Sequence, residues 1–288
     1  MAKARRPNQR QDRQNARYIN KKFSENNNFM KTVGIIGGLG PETTSEFYLD
    51  LVFSCAKKEK SARPPIIISS VSLPYQIEVD LILKSEGMDR YIPYLVTEAQ
   101  RLEKAGADFI VMPCNSLHVF IKQIRDSVRV PVLSIVDETV KFLKRENMNK
   151  VGIVSTSATI KNKLYENAFA ENGIEYLAPN ELQQARMGKF ILNLVLGQQN
   201  NRDREELISI INDFENKGLD CVILACTDLQ LLIRSHKNLK IFDTMKILAG
   251  ATVREALPAA ETAGRLSIIP NSVQTNVTAL YLYLDHVS

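Results

Sequence analysis

Gly106-Ala107-Asp108-Phe109-Ile110-Val111-Met112-Pro113-Cys114-Asn115-Ser116-Leu117 is matched, without a gap, by Gly218-Leu219-Asp220-Cys221-Val222-Ile223-Leu224-Ala225-Cys226-Thr227-Asp228-Leu229. Gly, Asp, Cys and Leu fall at the same places in both. Each copy opens on a glycine that ends a helix, runs through an apolar stretch and closes on a cysteine. A short, wholly apolar run bounded by turn residues reads as a strand buried on both faces, the kind found in parallel sheets. One α/β unit therefore occurs twice.

Outward from this repeat, the pattern alternates strands and helices. In the first half, Val33-Gly34-Ile35-Ile36 predicts a strand, Glu42–Ala56 a helix, Ile66-Ile67-Ile68 a strand and Ile92–Ala105 a helix. Asp108–Met112 and Val130–Ile135 complete that series as strands. The second half restarts with a strand at Lys150–Val154, a helix over Ile160–Glu171, a strand at Ile174–Leu177 and a helix over Glu205–Lys217. Strands at Asp220–Leu224 and Lys240–Phe242 follow. The expected architecture is α/β, with two pseudo-symmetric lobes. Each lobe is a short parallel sheet flanked by helices, and the active site lies in the cleft between them. The expected divisions are a disordered basic tail over 1–29, a first lobe over 30–137 joined by part of 246–288, and a second lobe over 138–245.

The chain has 288 residues, 44% hydrophobic and 24% charged. This is a globular balance that excludes wholesale disorder. No apolar run approaches the roughly 18 residues of a spanning helix, and none near the start forms a secretory leader. With four cysteines the expectation is a cytoplasmic chain of free thiols, with no membrane partner. The net charge of +5 is unevenly placed. Residues 1–30 carry eight basic and two acidic side chains, leaving 29 basic and 30 acidic elsewhere. The basic character thus belongs to the tail, and a nucleic-acid partner for the body is not expected. The tail reads as a solvated extension; a transit peptide, a weak RNA- or membrane-binding arm, and a start at Met30 are the alternatives. Near the other end, apolar Leu280, Tyr281, Leu282, Tyr283 and Leu284 are expected to pack on a lobe or into an interface.

Cys114 and Cys226 each follow a buried strand, at the carboxyl edge where open parallel sheets bind ligands. Each is expected to precede a helix capped by Asn115 or Ser116 in one copy and by Thr227 or Asp228 in the other. A thiol at a helix N-terminus is expected to have its pKa lowered toward the thiolate. Cys55 and Cys221 fall inside a helix and a strand and read as core. A disulfide, a zinc site or a Cys–His nucleophile fits less well. There is no C-x-x-C pair, and His118, His236 and His286 are scattered. Two equivalent bases on two related lobes suit a reaction with mirror-related faces, in which one removes a proton from carbon and the other returns one from behind. The sulfurs would then stand about 6–7 Å apart, each about 3–3.5 Å from the carbon. No feature calls for a pyridoxal lysine, a metal or another cofactor.

Two turns face this chemistry. Gly37-Gly38-Leu39-Gly40-Pro41 lacks the third glycine of a dinucleotide fingerprint. It reads instead as a loop, Leu39 and Gly40 included, that cradles substrate; Thr43 and Thr44 are candidate caps for the next helix. Ser155-Thr156-Ser157-Ala158-Thr159 occupies the equivalent turn in the second half and is rich enough in hydroxyls to hold a carboxylate.

The sequence resembles the aspartate/glutamate racemase family, the cofactor-independent two-cysteine amino-acid racemases. Gly37-Gly38-Leu39-Gly40-Pro41-Glu42-Thr43-Thr44, Met112-Pro113-Cys114-Asn115-Ser116-Leu117-His118 and Ala225-Cys226-Thr227-Asp228 carry the resemblance. It implies that Cys114 and Cys226 are the acid/base pair, and that Asn115, Thr156, Thr159 and Thr227 bind the substrate; Ser116, Ser157 and Gln76 are further substrate-binding candidates. It implies that His118, and Asp228 in place of the usual glutamate, stand behind the thiols. It also implies a homodimer acting on a small amino acid. The arginine and lysine that grip an acidic side chain in aspartate-specific members fall on Gln76 and Ala185, with Arg186 adjacent. A neutral or basic substrate is therefore open. Maleate-type isomerisation, hydantoin racemisation and a silent amino-acid-binding protein are the alternative functions.

Overall fold

A computed structural model describes residues 30–58, 63–84 and 86–257. The basic segment 1–29 and the apolar stretch at 280–284 lie outside the described residues. The first half contains β1 (Val33–Gly37), α1 (Pro41–Lys58), β2 (Ile66–Ser70), α2 (Tyr75–Lys84), α3 (Ile92–Lys104), β3 (Phe109–Val111), α4 (Ile121–Ser127) and α5 (Ile135–Arg145). The second contains β4 (Lys150–Ser155), α6 (Ser157–Lys161), α7 (Leu164–Glu171), β5 (Glu175–Leu177), α8 (Glu181–Val195), α9 (Asn201–Asn216), β6 (Cys221–Ala225), β7 (Lys240–Asp243) and α10 (Thr244–Ala256).

The strands form two all-parallel sheets, ordered β2-β1-β3 and β5-β4-β6-β7. Val33 lies between Ile66 and Phe109; Gly152 lies between Leu177 and Val222. The strand expected over Val130–Ile135 is reduced to a single parallel bridge, Ile110 to Val132. Pro131 has no N–H with which to extend a ladder. Ser134 then starts α5 at once, its hydroxyl accepting from the Asp137 N–H. With that bridge counted, both sheets follow one order, so the sequence repeat is also a repeat of topology.

The core runs through both halves. Ile35, Phe109, Ile153 and Ile223 belong to one buried cluster with Phe47, Leu51 and Cys55 of α1 and Met245 and Leu248 of α10. The spacing of Phe47, Leu51 and Cys55 puts all three on one stripe of α1. Cys55 and Cys221 are fully buried, as expected of core residues. Separate clusters cover the outer faces, around Ile36, Leu95 and Ile110 in one half and Phe190, Ile211 and Phe214 in the other. Gly152 permits the last of these, since a Cβ there would meet the Phe214 ring at 2.7 Å. Truncating such a ring costs about 3–5 kcal/mol. Helix α10 packs on α1 and α5, so the second half ends against helices of the first. Both sheets belong to one compact unit that ends at Leu257.

The helix expected over Ile160–Glu171 is two helices. Lys163 adopts φ +51°, and the chain turns there between α6 and α7. A left-handed residue ends a helix by taking its backbone off the helical path. Helices α2, α5, α8 and α10 were not anticipated. Among the described residues no helix is long and apolar enough to cross a membrane.

Candidate active site

β3 and β6 deliver Cys114 and Cys226 to the same sheet edge of their respective halves. Each cysteine is followed by a short 3-10 turn, Ser116–Phe120 and Leu229–Leu231, rather than by the α-helix expected. Asn115 and Asp228 occupy the N-cap positions, yet neither side chain bonds its own turn. Both are drawn across to the opposite half instead.

Neither Cys114 nor Cys226 is in a disulfide; Cys226 is buried and Cys114 partly so. Asn115, next to Cys114, donates to Thr244 Oγ1, and that hydroxyl donates to the Leu224 carbonyl two residues before Cys226, so the two cysteine turns lie side by side. The expectation of lowered thiol pKa is overturned. Burial pushes Cys114 up to about 12, with the carboxylates of Asp228 and Glu78 adding to the rise. Burial also pushes Cys226 well above an ordinary thiol, and Asp228 reinforces it. Backbone N–H groups oppose the rise, from Leu117 and Ser116 at Cys114 and from Asp228 at Cys226. Ser116 and Asp228 hold the same place in the repeat. A single 3-10 turn aligns few peptide dipoles, so desolvation exceeds their pull.

The hydroxyl turn comes to the first cysteine. Ser116 Oγ lies 2.8 Å from Thr156 Oγ1 and 3.2 Å from Thr159 Oγ1, and the two threonine hydroxyls lie 3.0 Å apart. Thr156 caps α6, accepting from the Thr159 N–H. Asn115 is buried; its amide donates to Thr244 Oγ1 at 3.0 Å, and its carbonyl accepts from the Tyr165 hydroxyl at 2.5 Å. That amide is therefore a clamp between halves. Asp228 accepts from the Thr43 hydroxyl at 2.6 Å and from the Cys226 thiol at 3.7 Å. Burial, the largest influence on Asp228, raises its carboxyl pKa.

His118 is wholly buried. Its Nε2 receives the Ile135 N–H at 3.0 Å, and its Nδ1 lies 2.7 Å from the Cys114 carbonyl oxygen. A backbone N–H can only donate, so Nε2 carries the lone pair and Nδ1–H donates to the carbonyl. Burial lowers this ring's pKa to about 4 and keeps it neutral. His118 thus holds the backbone of Cys114, not its sulfur.

The glycine turn reaches the second cysteine. Gly38 has φ +80°, and a Cβ there would meet Ser70 Oγ at 2.6 Å and Val71 N at 2.9 Å. Its N–H donates to Thr44 Oγ1. Leu39 is buried, and Gly40 faces the Asp228 carboxylate. Thr227 is buried beside Cys226. Ser157 accepts a long bond from Gln184, which also donates to the Ser155 carbonyl. Gln76 is not drawn into this network; it is exposed and donates to Asp80 of its own helix. Arg186 lies in a groove with Gln183, Arg202 and Glu205, between α8 and α9. Tyr91 and Glu78, overlooked in the sequence, stand close enough to Cys114 for its charge and theirs to interact. No local motif marks either residue. Among the described residues no group of three or more His, Cys, Asp or Glu is placed to hold a metal ion.

Residues 36–252 match the family described as Asp/Glu/Hydantoin racemase. The broad specificity amino-acid racemase RacX of Bacillus subtilis is 29% identical over 227 residues, covering 77% of this chain and 96% of its own length. A glutamate racemase of Aquifex pyrophilus is 27% identical over 155 residues, 52% of this chain and 58% of that protein. Among solved structures, an aspartate racemase homologue from Pyrococcus horikoshii OT3 superposes with a TM-score of 0.64 at 27% identity, over 79% of this chain and 99% of that one. The Picrophilus torridus aspartate racemase, at 24% identity and a TM-score of 0.66, covers 81% of this chain and 98% of its own and shares the fold.

Proposed function

Because the chain belongs to the Asp/Glu/hydantoin racemase family, we propose that it interconverts the L and D forms of an amino acid, with Cys114 and Cys226 as the two acid/base groups. The observation that carries this reading is the pair of thiols, one from each half of an internal repeat, on turns joined through Asn115, Thr244 and the Leu224 carbonyl. A thiolate on one side takes the α-proton, and the electron pair left on carbon spreads into the substrate carboxylate. The S–H on the other side delivers its proton to the opposite face. The product has inverted configuration, and the thiolate has moved from one cysteine to the other. Each cysteine is thus the base for one enantiomer.

The surroundings support the division of labour. The hydroxyls of Ser116, Thr156 and Thr159, with the Ser116 N–H, form a donor-rich wall suited to a carboxylate whose charge grows during the reaction. Gly40, which faces the Asp228 carboxylate, and Thr227, beside Cys226, are assigned to substrate contact on the second side, with Leu39 and Ser157 next to them in sequence in their turns. Tyr165 and Thr244 keep Asn115, and hence the Cys114 turn, registered against the second half.

The test is incubation of the full chain with each common amino acid in D₂O, followed by chiral analysis. The expected result is the opposite enantiomer carrying deuterium at the α-carbon. Absence of exchange from every amino acid overturns the reading.

A further inference from the structure

This inference rests on the racemase reading and concerns the side chain of the substrate. The thiols mark where the α-carbon sits, and three carboxylates converge beside them. Asp228 and Glu42 both face Gly40; a methyl group placed there would lie 3.4 Å from Glu42 Oε2 and 3.8 Å from Asp228 Oδ1. Glu78 arrives from α2. The charges acting on it are those of Asp228 and Glu42, and it acts in turn on Cys114.

Three sheltered glutamates elsewhere are neutralised by cations. Glu98 pairs with Arg101, Glu138 with Lys141 and Arg254, and Glu46 with Arg234. Glu78 is half-buried, yet among the described residues neither it nor Glu42 makes an ion pair or a hydrogen bond. Among the described cations, Arg90 is held by Asp80 and Arg234 by Glu46. A sheltered carboxylate without a cation is a cost that folding alone does not recover. It becomes useful when a ligand brings the missing charge. An acidic side chain would add a fourth negative charge to the three; a neutral one would leave all three uncompensated.

We infer that the site takes an amino acid with a cationic side chain, ammonium or guanidinium, held by Glu42, Glu78 and Asp228. Such a side chain also favours the reaction, since positive charge near the thiols offsets the field that keeps them protonated.

Initial rates of α-deuterium uptake should be compared for lysine and ornithine against norleucine, arginine against citrulline, and all of these against aspartate and glutamate. At least one cationic substrate is expected to exceed its neutral counterpart about tenfold in kcat/KM, and the acidic ones by more. The lysine and arginine arms separate ammonium from guanidinium recognition. Glu78→Gln and Glu42→Gln should each lower the cationic-to-neutral ratio about tenfold. Glu42 is exposed at the start of α1, so its variant serves should Glu78→Gln fail to fold. A preference for neutral or acidic amino acids, or an unchanged ratio in the folded variants, overturns this inference and leaves the racemase reading standing. No exchange from any amino acid overturns both.

Discussion

The two cysteine turns are copies in sequence and backbone, but they differ in charge. In both, the N–H two residues past the cysteine supports the sulfur. That residue is Ser116 in the first turn and Asp228 in the second. The difference recurs where each half starts its last helix: Ser134 caps α5, whereas Asp243 caps α10, accepting from the Met245 N–H. The first half thus uses hydroxyls where the second uses carboxylates. Backbone geometry, which any side chain tolerates, is shared. The electrostatics are not, so two thiols in equivalent places are chemically unlike. Cys226 hydrogen-bonds a carboxylate, while Cys114 senses the same carboxylate only through space.

The largest effect should fall on both turns alike. Cys114→Ser and Cys226→Ser are each expected to lower racemisation in both directions by about a thousandfold or more, since neither half can relay the proton alone. Chiral chromatography of the products checks this, and near-normal turnover from either variant would sink the two-base reading. The pH profile comes next. Both thiols hold their protons at neutral pH because burial raises them, with Cys114 at about 12. The base must be a thiolate, whose population grows as pH rises. From pH 7 to 9, kcat/KM should therefore climb by up to about tenfold per unit; a flat profile would mean that one thiol is already ionised in the free enzyme and would overturn the raised values.

The helix caps give a stability contrast of intermediate size. Burial raises the Asp243 carboxyl to about 7, opposed by Lys246 and helped by Asp50. Its Oδ2 is buried without a hydrogen-bond partner among the described residues. A folded-state pKa above the unfolded value gives stability that is present at low pH and lost as pH rises toward 7. The loss amounts to about 2–3 kcal/mol between pH 5 and 8. Urea unfolding should show that slope in the native chain and its disappearance in Asp243→Asn. Persistence of the slope would assign it to other groups. The smallest effect separates the thiols themselves. Asp228→Asn removes the charge bonded to Cys226, so the pH at which Cys226 is alkylated should fall by about one unit and that of Cys114 by less. Equal shifts would mean that the two environments are not distinguished by this contact.

Much of the fold is legible in the residues because buried parallel strands announce themselves. Phe109–Val111 and Cys221–Ala225 are wholly buried apolar runs, whereas Ile66–Ile68 has the same composition on the edge strand β2, where Ile68 is exposed. The fourth strand of the first sheet is misjudged because Val130-Pro131-Val132 has strand composition, while Pro131 and the cap at Ser134 leave room for one bridge. Helix α8 carries both signals of a helix, a capping box of Asn180 with Gln183 and a stripe of Met187, Phe190, Ile191 and Leu194, so it was legible in the residues though not expected. The cysteines and the hydroxyl turn are visible as motifs. Tyr91, Glu78, Tyr165 and Thr244 are not, since each meets the site from a distant element and carries no local pattern.

The amino-acid sequence alone establishes the duplicated α/β unit, the place of Cys114 and Cys226 at its two strand ends, and the family likeness. The first two follow from periodicity and spacing and the last from the resemblance of short motifs, all local properties of a chain. The folded structure decides the protonation of the thiols, the tautomer of His118 and the meeting of Glu42, Glu78 and Asp228. Those depend on desolvation and on charges brought together from far along the chain, and neither exists until the two halves pack.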